Sequence, residues 1–332
     1  MLPRTHTPSS SPLRADVRLS ALPGLAPLQP SPAASEAKAS LKQVFGAGED
    51  GVKQVSPEQM RTLHTGQESI QITKRLLPYG SGNQELDVLR TQGEAARRSA
   101  AVHALKGHYT QQDMSHIRNK TDVTPEEQAL LEIKNSARLA VSFGAGNCGE
   151  QADVALAVLS NMPRDVPIHK VQFEFMDHAL LIAGDLNSKK NQVVIDPWPT
   201  HATSHMMRDG LADGLPYKRL YTLNPADPSL FSQAQLEAFR QQGVPPARVD
   251  EHNQGRPVGS ELVQSLLDSN TVHCQPHSLK NPGLTYESAG QDGEVKKKSH
   301  EVPQSQHQQY QASMAAGATR KPALMRPEDD DA

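Results

Sequence analysis

Three residues of the 332-residue chain carry the types and spacing that chemistry needs: Cys148, His178 and Asp196. Cys148 stands in the stretch Phe-Gly-Ala-Gly-Asn-Cys-Gly-Glu-Gln, residues 143–151, with glycines at 144, 146 and 149. Ala152, Ala155, Leu156 and Leu159 follow at helical spacing, so the pattern predicts a buried helix that the cysteine opens. A sulfur at that place meets unpaired backbone N–H groups and the positive end of the helix dipole, which favour thiolate over thiol. The small residues on either side let a substrate backbone approach. The opposing reading of any free cysteine is an inert, buried apolar side chain.

The base and the acid need strands to bring them together. Val171, Phe173 and Phe175 alternate with Lys170, Gln172 and Glu174, which predicts a half-buried strand running on through His178 into residues 179–183. A polar loop over residues 184–191 leads into Val193-Val194-Ile195-Asp196-Pro197-Trp198, and the two strands form a hairpin. A loop centred on Asn187 sets His178 opposite Asp196, Leu180 opposite Val194 and Ile182 opposite Gln192. Directly opposed side chains share a face with Cβ atoms ~4.5–5.5 Å apart, so imidazole and carboxylate can hydrogen-bond there. A one-residue slip would put them on opposite faces. Upstream, Thr124-Pro125-Glu126-Glu127 is a capping box with proline at the first helical position, and Leu130, Ile133 and Ala137 carry the helix to Phe143, where Gly144 and Gly146 stop it. Residues 57–77, 84–106 and 233–242 have helical composition, and residues 217–223 are expected to cover the core.

A cysteine on a helix N-terminus, a histidine at the start of one strand and an aspartate at the end of the next occur here in that order, over residues 124–198. This resembles the papain-like and transglutaminase-like cysteine enzyme superfamily. The compact intervals are closer to the transglutaminase-like arrangement than to long-spaced papain. The resemblance implies an α+β fold with a central helix carrying the cysteine packed on a small antiparallel sheet. It also implies a nucleophile at Cys148, a general base and acid at His178, and an orienting acid at Asp196. Papain has a glutamine just before its cysteine for the oxyanion hole, whereas here Gln128 is the nearest upstream glutamine. Asn147 is therefore the candidate second donor beside the Cys148 backbone N–H. Trp198, the single tryptophan, is placed to shield the His178–Asp196 bond, with plain core packing as the other reading. Gln151 reads as structural and Asp177 as solvated.

Composition sets the frame. Hydrophobic residues are 36% of the chain and aromatics 4%, too few for every segment to bury itself. Residues 1–57 are rich in Ser, Pro and Ala, and residues 281–332 are polar, aperiodic and acidic at Glu328 to Asp331, so both are expected to be disordered around a catalytic domain at 58–280. The lysines 296–298 read as a solvated patch. The Ser/Pro leader resembles the export signals of bacterial type III secreted effectors. That resemblance implies a host protein as substrate, delivery into the host cell and a secretion chaperone on the leader. A net charge of −3 gives no field for nucleic acid, and no apolar run is long enough for a membrane span. His273, Cys274 and His277 supply three possible metal ligands without a fourth nearby, so no metal is assigned, and no nucleotide-binding motif or other cofactor signal occurs. The expected activity is attack on an amide of a host protein: proteolysis, glutamine deamidation or transglutaminase-type acyl transfer. The competing expectation is a non-enzymatic effector or adaptor that binds a host protein.

Overall fold

A computed structural model describes residues 51–118 and 124–299, except 254–256, 270, 274–276, 282 and 290–294. Strand β1 (Val52–Gln54) leads into helix α1 (Pro57–Leu76), which opens on a capping box formed by Ser56 and Gln59 with Pro57 in the first turn. The helix expected over 84–106 is two helices, α2 (Glu85–Arg90) and α3 (Glu94–Arg118). Gln92 at φ 53° and Gly93 at φ 90° turn the chain left-handed between them, and polar Gln92 gave no signal of this. Helix α4 (Pro125–Phe143) starts as the sequence predicts: Glu127 N–H donates to Thr124 Oγ1 at 3.2 Å and Thr124 N–H to the Glu127 carboxylate at 2.8 Å. Gly144 ends it at φ 70°, and α5 (Cys148–Leu159) follows at once.

Five antiparallel strands come next in space: β2 (Ile168–Phe173), β3 (Ala179–Ala183), β4 (Val193–Ile195), β5 (His205–Met206) and β6 (Tyr217–Leu223), in the order β5-β4-β3-β2-β6. Leu181, Ala183, Val193 and Ile195 face the helices and share a core with Leu63 and Ile70 of α1, Ile133 of α4, and Leu156 and Leu159 of α5. Val171, Phe173, Leu180, Ile182 and Val194 are buried on the other face with Met207 and Ala212. Covering on both faces explains why β3 reads Ala-Leu-Leu-Ile-Ala without alternation. Each fully buried Leu or Ile contributes about 1.5–3 kcal/mol to this packing. Residues 217–223 are thus an edge strand paired to β2, and residues 233–242 form α6 (Gln233–Gln242) as expected, followed by α7 (Pro246–Asn253) and α8 (Ser260–Asp268).

Two expectations about the strands need correction. Residues 170–183 are not one strand: a turn over residues 174–177 divides them, closed by Phe173 N–H donating to His178 O at 3.0 Å. The register of β3 on β4 is offset by two from the one expected, with Ile182 opposite Val194 and Leu181 opposite Ile195. The connecting loop is asymmetric, holding a 3₁₀ turn at Lys189–Asn191 beside Gly184 at φ 109°. An offset of two keeps every side chain on its face, so His178 and Asp196 stay on one side as diagonal neighbours.

The folded unit is also wider than 58–280. Strands β7 (Thr285–Ala289) and β8 (Val295–Ser299) form a second sheet with β1, in the order β1-β7-β8, so parts of the expected leader and tail pair with each other. Buried Tyr286 locks this sheet to the first, its hydroxyl donating to Asp209 Oδ2 at 2.6 Å and accepting from Met206 N–H at 3.0 Å. Lys298, taken as solvated, is buried because it lies opposite Tyr286, and its ammonium donates to Ser204 O at 2.8 Å. Apolar content was too low in both segments for the pattern to reveal them. Residues 1–50 and 300–332, the rest of the leader and tail, lie outside the described residues. The described chain is an α+β fold of eight α-helices and two small sheets.

Candidate active site

Cys148 is the first residue of α5, and its position is set by the chain that precedes it. Residues 78–84, between α1 and α2, lie alongside residues 144–147: Tyr79 N–H donates to Gly144 O at 2.9 Å and Gly146 N–H to Gly80 O at 3.1 Å. Gly82 N–H and the Ser81 hydroxyl both donate to Asn147 Oδ1, at 3.0 and 3.3 Å. Ser81 N–H in turn donates to the buried carboxylate of Asp87 at 2.8 Å. Gly80 has φ 81°, and any Cβ there would collide with that carboxylate. Asn147, the residue before Cys148, is therefore clamped by backbone groups that only glycines can bring so close.

A charge cluster holds the same corner from the other side. Asn147 N–H donates to Glu150 Oε2 at 3.0 Å, and Glu150 also binds His103 Nε2 at 3.0 Å and Lys106 Nζ at 2.9 Å. Burial alone would raise the Glu150 pKa, but the hydrogen bonds and charges of His103 and Lys106 hold it far below the usual carboxylate range. His103 is raised in return, chiefly through its hydrogen bond to Glu150. Arg98 donates to Phe143 O at 3.0 Å, satisfying a terminal carbonyl of α4, and its guanidinium lies 4.0 Å from the centre of the Tyr79 ring.

His178 and Asp196 are both buried, and His178 Nε2 lies 3.0 Å from Asp196 Oδ2. The other carboxylate oxygen accepts from Trp198 N–H at 3.2 Å. The Trp198 ring is 4.9 Å from the imidazole centre at 51°, and the Phe173 ring lies nearly parallel at 6.4 Å. Trp198 therefore covers the histidine, and its indole N–H is fixed by Asn83 Oδ1 at 2.8 Å. Burial opposes protonation of His178, but the charge and hydrogen bond of Asp196, with a smaller contribution from Cys148, outweigh it and raise the pKa to about 10. Nδ1 of His178, on the ring's other side, is buried and makes no hydrogen bond among the described residues.

The sulfur meets the histidine's neighbour. Cys148, half-buried, is the only free cysteine among the described residues, and its thiol donates to Asp177 O at 3.8 Å. The Asp177 side chain is exposed, as expected, while its carbonyl forms a wall of the site. Asn147, the expected second donor, has its oxygen and backbone N–H engaged, which leaves Nδ2 as its uncommitted donor. Gln151 is structural: Nε2 donates to Gly146 O at 2.8 Å and Oε1 accepts from Lys74. The structure thus gathers Cys148, His178, Asp196, Asn147 and Trp198 in one place.

The sequence reading missed residues 80–84, Asp87, His103 and His273. A Gly-Ser-Gly-Asn turn directly after a predicted helix was the available signal for the first. His273 is stitched to the same loop, its N–H donating to Asn83 O at 2.8 Å, and its ring stands edge-on to Trp198 at 5.2 Å. Its pKa is lowered, first by burial and then by the charge of His178. Cys274, its companion in the metal set considered above, lies outside the described residues. Among the described residues no group of three or more His, Cys, Asp or Glu side chains could hold a metal ion, and no helix is long and apolar enough to cross a membrane. Compared with known proteins, the chain matches no family model, no curated protein and no solved structure.

Proposed function

We propose that the chain is a thiol-dependent enzyme that attacks an amide, with Cys148 as nucleophile, His178 as proton carrier and Asp196 as the acid that orients it. The observation that carries this reading is the state of the His178 ring. Nε2 is bound to a buried carboxylate at 3.0 Å, Nδ1 is buried with no hydrogen bond to it among the described residues, and Cys148 is near enough to help raise the ring's pKa. A buried ring nitrogen without a partner costs about 1–3 kcal/mol, and the Cys148 sulfur, which contributes to raising the ring's pKa, is the group that can supply one. The element placement, with the cysteine opening α5, the histidine entering β3 and the aspartate leaving β4, supports the resemblance to the papain-like and transglutaminase-like enzymes on which this reading draws.

In the proposed reaction the thiol has already given its proton to His178 Nδ1, whose ring holds a proton up to about pH 10, and Sγ bonds to the carbonyl carbon. The carbon–nitrogen bond then breaks, the amine leaves with that proton, and a thioester stays on Cys148. Water attacks the thioester, giving one proton to His178; the acid departs and the sulfur regains the proton. An amine in place of water gives acyl transfer, and a glutamine side chain as the amide gives deamidation. The Cys148 backbone N–H, unpaired at the helix start, and Asn147 Nδ2 are the donors for the oxyanion. With the Ser/Pro-rich segment ahead of β1 read as an export leader, the substrate is a host protein.

Alkylation tests this reading. Iodoacetamide near pH 6 should modify Cys148 of the folded protein before Cys274, and His178→Ala should slow that reaction. Protection of Cys148 until the protein unfolds would replace the enzyme with a binding module.

A further inference from the structure

The turn over residues 174–177 belongs to the site on one side and to solvent on the other. Its backbone is pinned three times: Phe173 N–H to His178 O at 3.0 Å, His178 N–H to Met176 O at 2.7 Å and Glu174 N–H to Pro216 O at 3.2 Å. Phe175, in the middle of this fixed turn, is 76% exposed, the most exposed large hydrophobic side chain among the described residues. Phe173 and Met176 on either side are drawn into the second core, so the turn had apolar company available and Phe175 is nonetheless held out of it. Two residues further on, the Asp177 carbonyl accepts from the Cys148 thiol. Two residues span at most about 7 Å of chain, and the Asp177 carbonyl oxygen lies 3.8 Å from the sulfur, so the Phe175 backbone is within about 13 Å of it, the reach of about four extended substrate residues.

An aromatic side chain presented on a rigid turn at the lip of a reactive centre gains by being covered, and the group that arrives there is the substrate. We propose that Phe175 determines specificity, and that the substrate carries a bulky apolar side chain within about four residues of the amide that Cys148 attacks. This rests on the thiol reading given above and narrows its substrate class. The flanking exposed carboxylates of Glu174 and Asp177 keep the ring from acting as a general sticky patch, since an apolar surface without a correctly placed reacting group would desolvate them without return.

The test uses two alkylating reagents on the full chain that share the iodoacetamide group and ethyl spacer and differ in ending in an apolar ring or a hydroxyl, N-phenethyl iodoacetamide and N-(2-hydroxyethyl) iodoacetamide. Each forms a thioether at Cys148 with loss of iodide, and the readout is the ratio of their second-order rates, with intact-protein and peptide mass spectrometry to locate the adduct. The expected ratio favours the phenethyl reagent about ten-fold or more, the scale on which apolar pockets discriminate. In Phe175→Ser it falls to near one, and in Phe175→Leu it stays well above one. A ratio near one in the unaltered protein, or a ratio unchanged by Phe175→Ser, overturns the role of Phe175 while alkylation at Cys148 leaves the thiol reading standing. If neither reagent reaches Cys148 in the folded protein, the thiol reading fails and the specificity proposal with it.

Discussion

Replacing Gly80 by alanine isolates the clamp on Asn147, the residue before Cys148. Gly80 sits at φ 81°, where an L residue costs about 1–2 kcal/mol. The added Cβ would lie on the Asp87 carboxylate, which must withdraw and give up the 2.8 Å bond from Ser81 N–H. A buried hydrogen bond to a charged group is worth about 1.5–3 kcal/mol, so Gly80→Ala should cost about 3–5 kcal/mol in all. Gly214 supplies the control: its φ of 85° is nearly the same, and no atom lies within 4 Å of the Cβ it lacks. Gly214→Ala should therefore cost only the backbone part, about 1–2 kcal/mol. Urea unfolding with unchanged slopes would measure both, and the difference, about 2 kcal/mol, belongs to the Asp87–Ser81 contact. Under conditions where both variants are folded, Gly80→Ala should also slow alkylation of Cys148, because Ser81 and Gly82 hold Asn147; Gly214→Ala should not. Equal costs for the two substitutions would refute the clamp.

The stability of the protein should fall as pH rises from about 7 to 10. The folded pKa of His178, about 10, stands above the ~6.5 of an unfolded imidazole, so its stabilisation is complete below about 6.5 and is lost as pH passes through 10. Asp196→Asn removes the cause and should flatten that limb by on the order of a few kcal/mol; parallel denaturation profiles would sink the argument. Glu150 is shifted the other way, so its contribution is present above the ordinary carboxylate range and drains away as pH drops below about 4.5. Glu150→Gln should make acid unfolding less steep and cost about 1–3 kcal/mol at neutral pH, with His103 and Lys106 half-exposed and partly rescued by water; an unchanged acid midpoint would count against it. On a substrate, once one is in hand, His178→Ala should abolish turnover nearly as fully as Cys148→Ala, and the His178→Ala, Asp196→Asn double variant should be little worse than His178→Ala alone. Additive losses in that cycle would show that Asp196 acts independently of the ring.

What was legible in the sequence was whatever a few neighbouring residues decide. Thr124, Pro125 and Glu127 start α4 because a hydroxyl, a fixed φ and a carboxylate satisfy orphan N–H groups without help from elsewhere. Glycines 144 and 146 placed the bend before Cys148 for the same local reason. The turn at 174–177 was invisible because Phe175 continues the odd-numbered alternation of Val171 and Phe173, although only those two are buried. The register offset was hidden in how many residues the 184–192 loop spends on its 3₁₀ turn, yet the face of each side chain survived because the offset was even. The β1-β7-β8 sheet joins segments more than 200 residues apart through backbone pairing and a single buried Tyr286, and neither leaves a pattern in composition.

The two halves of the site are held by different physics, and that difference accounts for where the chain places its scarce aromatic residues. Cys148 depends on backbone hydrogen bonds and on a charge cluster that reaches solvent through His103, interactions that need no bulky side chain. The His178–Asp196 pair instead needs a dry surrounding, since the attraction between imidazolium and carboxylate falls in proportion to the local dielectric. Aromatics are only 4% of the chain, yet Phe173 and Trp198, the single tryptophan, both stand against the His178 ring. Trp198 does so while its own backbone N–H donates to Asp196, so one residue both excludes water from the pair and neutralises the carboxylate's second oxygen. Phe175, one alternation beyond Phe173 and outside the pair, cannot serve that purpose from its exposed turn. On the specificity proposal, an aromatic kept there in so aromatic-poor a chain is accounted for by what comes to the sulfur from outside.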